Sequence, residues 1–189
     1  MGFAITWCAV REEHAQGLLD ALGLSPTGET VELPDSPVST ARLDTGWSLL
    51  WINEYGAPLL APDRLREISR ERDVLLCLVE EHVMACSAEF WSGGKRTWWI
   101  SHEGEDGPKG LDTDGALPEC FASIRAEMAA MQQGVADVDY LFEIPLKVAE
   151  TLVGFKHDEN WPHVIGGRFE VLARPEAPKK GLLGKLFGR

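Results

Sequence analysis

Two short stretches of this chain gather side chains able to move protons or hold a cation. Residues 154–163, "GFKHDENWPH", place Lys156, His157, Asp158, Glu159 and His163 within ten positions. Imidazoles beside a carboxylate form a donor set for a divalent transition metal, which makes His157, Asp158 and His163 candidate ligands. His157 and Asp158 are also candidates for acid–base catalysis. The second stretch, "CLVEEHVMACSAEFW" at 77–91, interrupts an apolar run with Glu80, Glu81 and His82. Glu80 and His82 are the candidate acid–base pair there. Both stretches have a plainer explanation. Gly154 followed by basic side chains is ordinary chemistry for a helix C-terminus. Acids inside an apolar run can mark the point where a strand meets solvent.

Spacing limits what the second stretch can do. Read as one strand over 74–91, it sends Glu80 and His82 to one face and Glu81 to the other. Gly93-Gly94 predicts a two-residue hairpin turn that pairs Ser92 with Lys95 and, further down, Ala85 with His102. In that register His102 and His82 lie on opposite faces. Glu81 and His102 share a face but stand about 13 Å apart along the strand. A bulge would flip one side of the pairing, and a partly helical segment would remove the constraint.

Other motifs are weaker. "LDTGW" at 43–47 contains Asp-Thr-Gly, but aspartic-protease chemistry needs two such carboxylates sharing a proton, and "LDTDG" at 111–115 does not repeat the motif. Asp-Thr-Gly here predicts a turn. The acidic segment from Glu103 to Gly115 reads as a solvated loop. Glu103, Glu105, Asp106, Asp112 and Asp114 could offer oxygens to calcium, yet the EF-hand pattern fails. There is no G-x-S-x-G, P-loop or G-x-G-x-x-G, and no cofactor is expected. Trp91, Trp98 and Trp99 sit on one hairpin, where the simple register places Trp98 with Trp91 and Trp99 with Phe90.

The elements that position these residues alternate irregularly. Phe3–Val10 predicts a buried strand, and Leu18, Leu19 and Leu22 a helix stopped by Gly23. A short strand fits Glu29–Leu33, and residues 37–56 read as a hairpin turning at Asp44-Thr45-Gly46. A surface helix opens at Pro62-Asp63, with Leu65 and Ile68 inward. Phe121, Ile124, Met128 and Met131 mark an amphipathic helix, and Leu146, Ala149 and Val153 the inner stripe of a helix from Pro145 to Gly154. A last strand alternates Phe169, Val171 and Ala173. The expected fold is α+β, a mostly antiparallel sheet of hairpins packed against three to four helices. It comprises a single domain over 1–174, a proline-bearing linker at 175–178 and a tail at 179–189.

Charge separates that tail from the body. The 189 residues carry a net charge of −12, and the tail "KKGLLGKLFGR" contributes +4 through Lys179, Lys180, Lys185 and Arg189, which leaves −16 on the preceding 178. Such an acidic body disfavours nucleic acid. No apolar run reaches the roughly 20 residues that span a bilayer, and the N-terminus lacks the basic and apolar regions of a secretory signal. Gly2 and Thr6 fit the short myristoylation pattern, although a buried first strand accounts for these residues better. Cys8, Cys77, Cys86 and Cys120 form no C-x-x-C pair and fit reduced thiols in the cytoplasm. In the tail, Leu182, Leu183, Leu186 and Phe187 would share one helical face ringed by Lys179, Lys180, Lys185 and Arg189. That pattern suits a protein partner or weak contact with an anionic membrane surface. The function expected from the sequence is a soluble, cytoplasmic protein-interaction module, adaptor-like or immunity-like, with a docking tail. The alternative is a small metal-dependent hydrolase using His157, Asp158 and His163.

Overall fold

The structure, a computed structural model, describes residues 2–104, 110–135 and 137–174. The linker at 175–178, the tail at 179–189, and Glu105 and Asp106 of the acidic segment lie outside the described residues. The chain forms β1 (Ala4–Arg11), α1 (Ala15–Leu22), β2 (Ser25–Val31), β3 (Val38–Arg42), β4 (Trp47–Ile52) and α2 (Pro62–Ile68). It continues through β5 (Val74–Glu80), β6 (Ala85–Ser92), β7 (Lys95–Glu103), β8 (Leu111–Gly115), α3 (Cys120–Gln132), α4 (Glu143–Val153) and β9 (Phe169–Ala173). The fold is α+β, with nine antiparallel strands in the order β2-β9-β3-β4-β1-β5-β6-β7-β8.

The register is continuous across almost the whole sheet. One row runs Val171–Ser39–Trp51–Trp7–Cys77–Ala88–Ile100–Thr113 from β9 to β8. Central strands are buried on both sides, which explains why β1 and β4 are mostly apolar, broken only by buried Thr6 and Ser48 and by Arg11 at the end of β1, instead of alternating. On one side Ile5, Trp7, Leu49, Trp51, Leu75 and Cys77 pack under α3 and α4. On the other Cys8, Val10, Leu50, Ile52 and Leu76 pack under α1 and α2. Trp51 sits within an aromatic group, its ring 6.0 Å from Phe3, 6.2 Å from Phe155, 6.1 Å from Trp161 and 6.4 Å from Phe169.

Local chemistry sets the turns. Gly46, at φ +82°, donates its N–H to Leu43 O at 3.1 Å, and Leu43 donates to Trp47 O at 2.8 Å. That combination is a four-residue turn closed by a glycine bulge, so Asp44-Thr45-Gly46 is the expected hairpin turn. Helix α4 ends as expected at Gly154, in the left-handed region at φ +80°.

Several expectations are corrected. Residues 74–91 are two strands, not one: Glu81–Met84 form a tight turn and Glu80 pairs with Ala85. Beyond Ser92–Lys95 and Trp91–Arg96, the β6–β7 ladder shifts by one residue, so that Phe90 faces Trp98 and Cys86 faces His102. The bulge moves Trp98 to the α3–α4 side, stacked on Phe90 at 5.9 Å, while Trp91 packs on the α1–α2 side. Residues 111–115 are the edge strand β8 and not loop, because each of them pairs with a residue of β7 between Trp98 and His102. β2 starts at Ser25 rather than Glu29, and α4 at Glu143 rather than Pro145. Met131 leaves the inner stripe of α3 and is exposed. In β9 the buried pair is Phe169 and Leu172, one on each face, whereas Ala173 is exposed.

Trp51→Ala removes the centre of the aromatic group. The expected loss in stability is about 3–5 kcal/mol, checked by urea unfolding followed by circular dichroism.

Candidate functional site

The segment after α4 folds back across the sheet. Lys156 is nearly buried, and its Nζ reaches Asp158 Oδ1 at 2.8 Å and Glu143 Oε2 at 3.0 Å. Trp161 donates its indole N–H to Lys156 O at 3.0 Å, which fixes the backbone there. His157, 1% exposed, lies with Nε2 3.0 Å from Glu81 Oε1 and its ring edge-on to Phe3 at 5.1 Å. Glu81 in turn accepts the Phe3 N–H on Oε2 at 2.8 Å and donates its own N–H to Phe3 O at 2.9 Å. Glu81 therefore ties the N-terminus of β1, the β5–β6 turn and the post-α4 segment together.

The pKa shifts follow from these contacts. Burial alone would pull the Lys156 ammonium down, but hydrogen bonds and charge from Asp158 and Glu143 outweigh it and hold the pKa above its ordinary value. Burial would raise the Asp158 carboxyl. The Lys156 hydrogen bond and the His157 charge reverse that, and the carboxyl stays below its ordinary 3.8. Burial lifts Glu150 above the usual carboxylate range, helped by Glu159 nearby. Cys8, Cys77 and Cys86 are buried free thiols, with Cys8 pushed up to about 12 by burial, so they pack as apolar groups and not as nucleophiles.

The other predicted site residues disperse. Glu80 and His82 do meet, with His82 Nδ1 2.6 Å from Glu80 Oε1, but in a turn where His82 is 61% exposed. His163 turns away from His157 and pairs with Asp44 at 2.8 Å, while Asp44 donates its N–H to His163 O at 2.9 Å. Thr45 Oγ1 donates to Val153 O at 2.6 Å. The Asp-Thr-Gly turn thus fastens the end of α4 and the segment after it. Among the described residues no three His, Cys, Asp or Glu side chains are placed to hold one metal ion. Of the His157/Asp158/His163 set, His157 is engaged by Glu81, Asp158 by Lys156 and His163 by Asp44, with His157 Nδ1 3.9 Å from Asp158 Oδ1. His102 is fully buried, with Nε2 2.7 Å from Asp139 Oδ2, and Asp139 also caps the turn at Tyr140–Phe142. A cleft of about 380 Å³ lies beside this region, lined by Glu150, Thr151, Lys156, Glu159, Trp161 and His163 among others.

Sequence reasoning missed a larger feature. The α1–α2 layer covers the sheet as far as Val74, Leu76 and Trp91 and takes nothing from β7 or β8. Beyond it, one face of β5–β8 carries three cross-strand rows. These are Glu80–Ala85–Glu103, Leu78–Ser87–Ser101–Asp112 and, past Leu76, Glu89–Trp99–Asp114. Serines floor the middle of this face and carboxylates surround it. Glu103, Asp112 and Asp114 are exposed, while Ser87, Ser101 and Trp99 are partly exposed. Arg96 is the basic residue on it, over the Trp99 ring at 5.1 Å and 3.5 Å from Glu89. Tyr55, 43% exposed, stands at one end. Its phenol is raised above the ordinary range by burial and then by Glu103. The signal was present in Ser87, Glu89, Ser101 and Glu103 alternating with apolar residues. The bulge hid which of them share a face.

No protein-family model, curated protein or solved structure matches this chain.

Two outcomes test the ion-pair cluster. The depressed Asp158 carboxyl contributes stability that is full above pH 4 or so and fades as pH falls through its lowered folded value. Asp158→Asn should flatten the acid side of a stability–pH curve with little change in shape from pH 6 to 8. Adding zinc or manganese in place of chelator should leave the melting temperature unmoved. A rise that disappears in His157→Ala would restore the metal reading.

Proposed function

We propose that this chain is a protein-interaction module, adaptor-like or immunity-like, working in the reducing cytoplasm, with the open acidic face of β5–β8 as its binding surface. The observation that carries the reading is that uncovered face. A sheet whose central strands β1 and β4 are packed on both sides leaves, over β5–β8, a broad surface floored by serines, with Trp99 in one of its rows and carboxylates around it. Aromatic side chains supply contact area at low entropic cost, and surrounding charge gives specificity and speeds encounter. A cationic protein surface is the matching partner. The hydrolase reading has less support, because Lys156, His157 and Asp158 are engaged in contacts that hold the fold. Four unpaired cysteines fit the proposed compartment.

The test uses the wild-type chain and the variant E103K/D112K/D114K, whose changes fall at exposed positions and leave both cores intact. A partner captured by the wild type, then purified, should bind the variant at least tenfold more weakly at 150 mM salt, an electrostatic loss of the size expected for several charge pairs. Equal binding, with both proteins folded by circular dichroism, would remove this face from the proposal.

A further inference from the structure

We infer that the open β5–β8 face is also the docking site of this chain's own basic segment, residues 179–189, which an incoming partner must displace. The inference rests on the binding surface proposed above and adds a second occupant for it.

Three observations support it. The first is charge. Segment 179–189 carries four cations and no acid, and it brings Leu182, Leu183, Leu186 and Phe187. The face presents Glu80, Glu89, Glu103, Asp112 and Asp114 against Arg96, with Trp99 and Tyr55 as apolar contacts. Opposite charges flanking apolar groups on both sides are complementary in the sense that favours docking.

The second is where the described chain stops. Arg174 lies three residues beyond Val171 in the continuous row across the sheet. Extending each strand by three from that row brings Arg174 level with Glu80, Ala85 and Glu103. Odd spacing from a row that faces α3 and α4 puts all four positions on the opposite side, the side that is open over β5–β8. The chain thus leaves β9 at the end of the sheet where the acidic face has Glu80 and Glu103. Tyr55, just past the end of β4, stands at that same end.

The third is length. From β9 to β7 the sheet order takes six strand steps, about 29 Å at the usual spacing. The fifteen residues after Arg174 span up to about 50 Å when extended. Five residue steps from Arg174, through the four-residue linker, bring Lys179 about 17 Å along the way, so the basic and apolar positions fall over β5–β7. A segment half as long would not reach.

The full chain tests this without any partner, so the tail contact and the interaction role can fail separately. The seven indole N–H signals of ¹⁵N-labelled protein report the site, with Trp99 identified by Trp99→Phe. In K179E/K180E/K185E the Trp99 signal should move away from its wild-type position while the buried tryptophans stay in place. Raising sodium chloride from 50 to 500 mM should move the wild-type signal toward the variant and leave the variant unchanged, because salt screens exposed charges. A synthetic peptide of residues 175–189 should return the variant's Trp99 signal to the wild-type position, and it should bind the wild-type chain at least tenfold more weakly. A Trp99 signal identical in both proteins, or equal peptide binding by both, would overturn the inference. So would a wild-type signal that varies with protein concentration, since that would place the tail on a second copy.

Discussion

The packing of Trp51 is the constraint on which the rest of the molecule depends. Its indole lies where β1, β4, β9 and the post-α4 segment meet, in contact range of Phe3, Phe155, Trp161 and Phe169. Large aromatic groups make the greatest contribution to burial per residue, and edge-on geometry adds a directional preference. Once this group forms, Phe155 and Trp161 hold the ends of a segment whose middle must lie against the sheet. Lys156 and His157 are carried inward with it, and burial then obliges each to find a partner, while Asp158 stays at the surface beside them.

That obligation explains how the most reactive-looking residues of the chain come to be paired. A buried ammonium needs carboxylates, and Glu143 and Asp158 supply them. A buried imidazole needs a polar neighbour, and Glu81 supplies it from a turn far away in sequence. The resulting network joins the first strand, the β5–β6 turn and the segment after α4. Residue types suited to catalysis are the same types that satisfy one another in a partly buried joint. Only their geometry separates the two uses.

The molecule treats its two sheet faces differently. α3 and α4 cover one side out to β7, while α1 and α2 stop at β6 on the other. The uncovered part is where the strands alternate between apolar and acidic residues. One end of it lies level with Arg174, where the described chain ends, four to six strand steps away across the sheet. This asymmetry concentrates negative charge on one surface of an acidic body.

Much of the fold was legible in the residues alone: the α+β class, the helix stops at Gly23 and Gly154, the Asp44-Thr45-Gly46 turn and the inward stripe of α4. These depend on local periodicity and on glycine's access to the left-handed region, and both act over a few residues. The candidate site was not legible, because it depends on contacts such as Glu81 with His157 and Asp44 with His163, more than seventy positions apart in each case. The open face escaped for a related reason. A single bulge between the Trp91–Arg96 and Phe90–Trp98 pairs moves every later side chain of β7 to the other face from the one the simple register gives, and nothing in the flanking sequence marks its position. Sequence determined which residues could pair, turn or carry charge. Tertiary structure decided which of them meet, because register and burial are settled by the sheet as a whole.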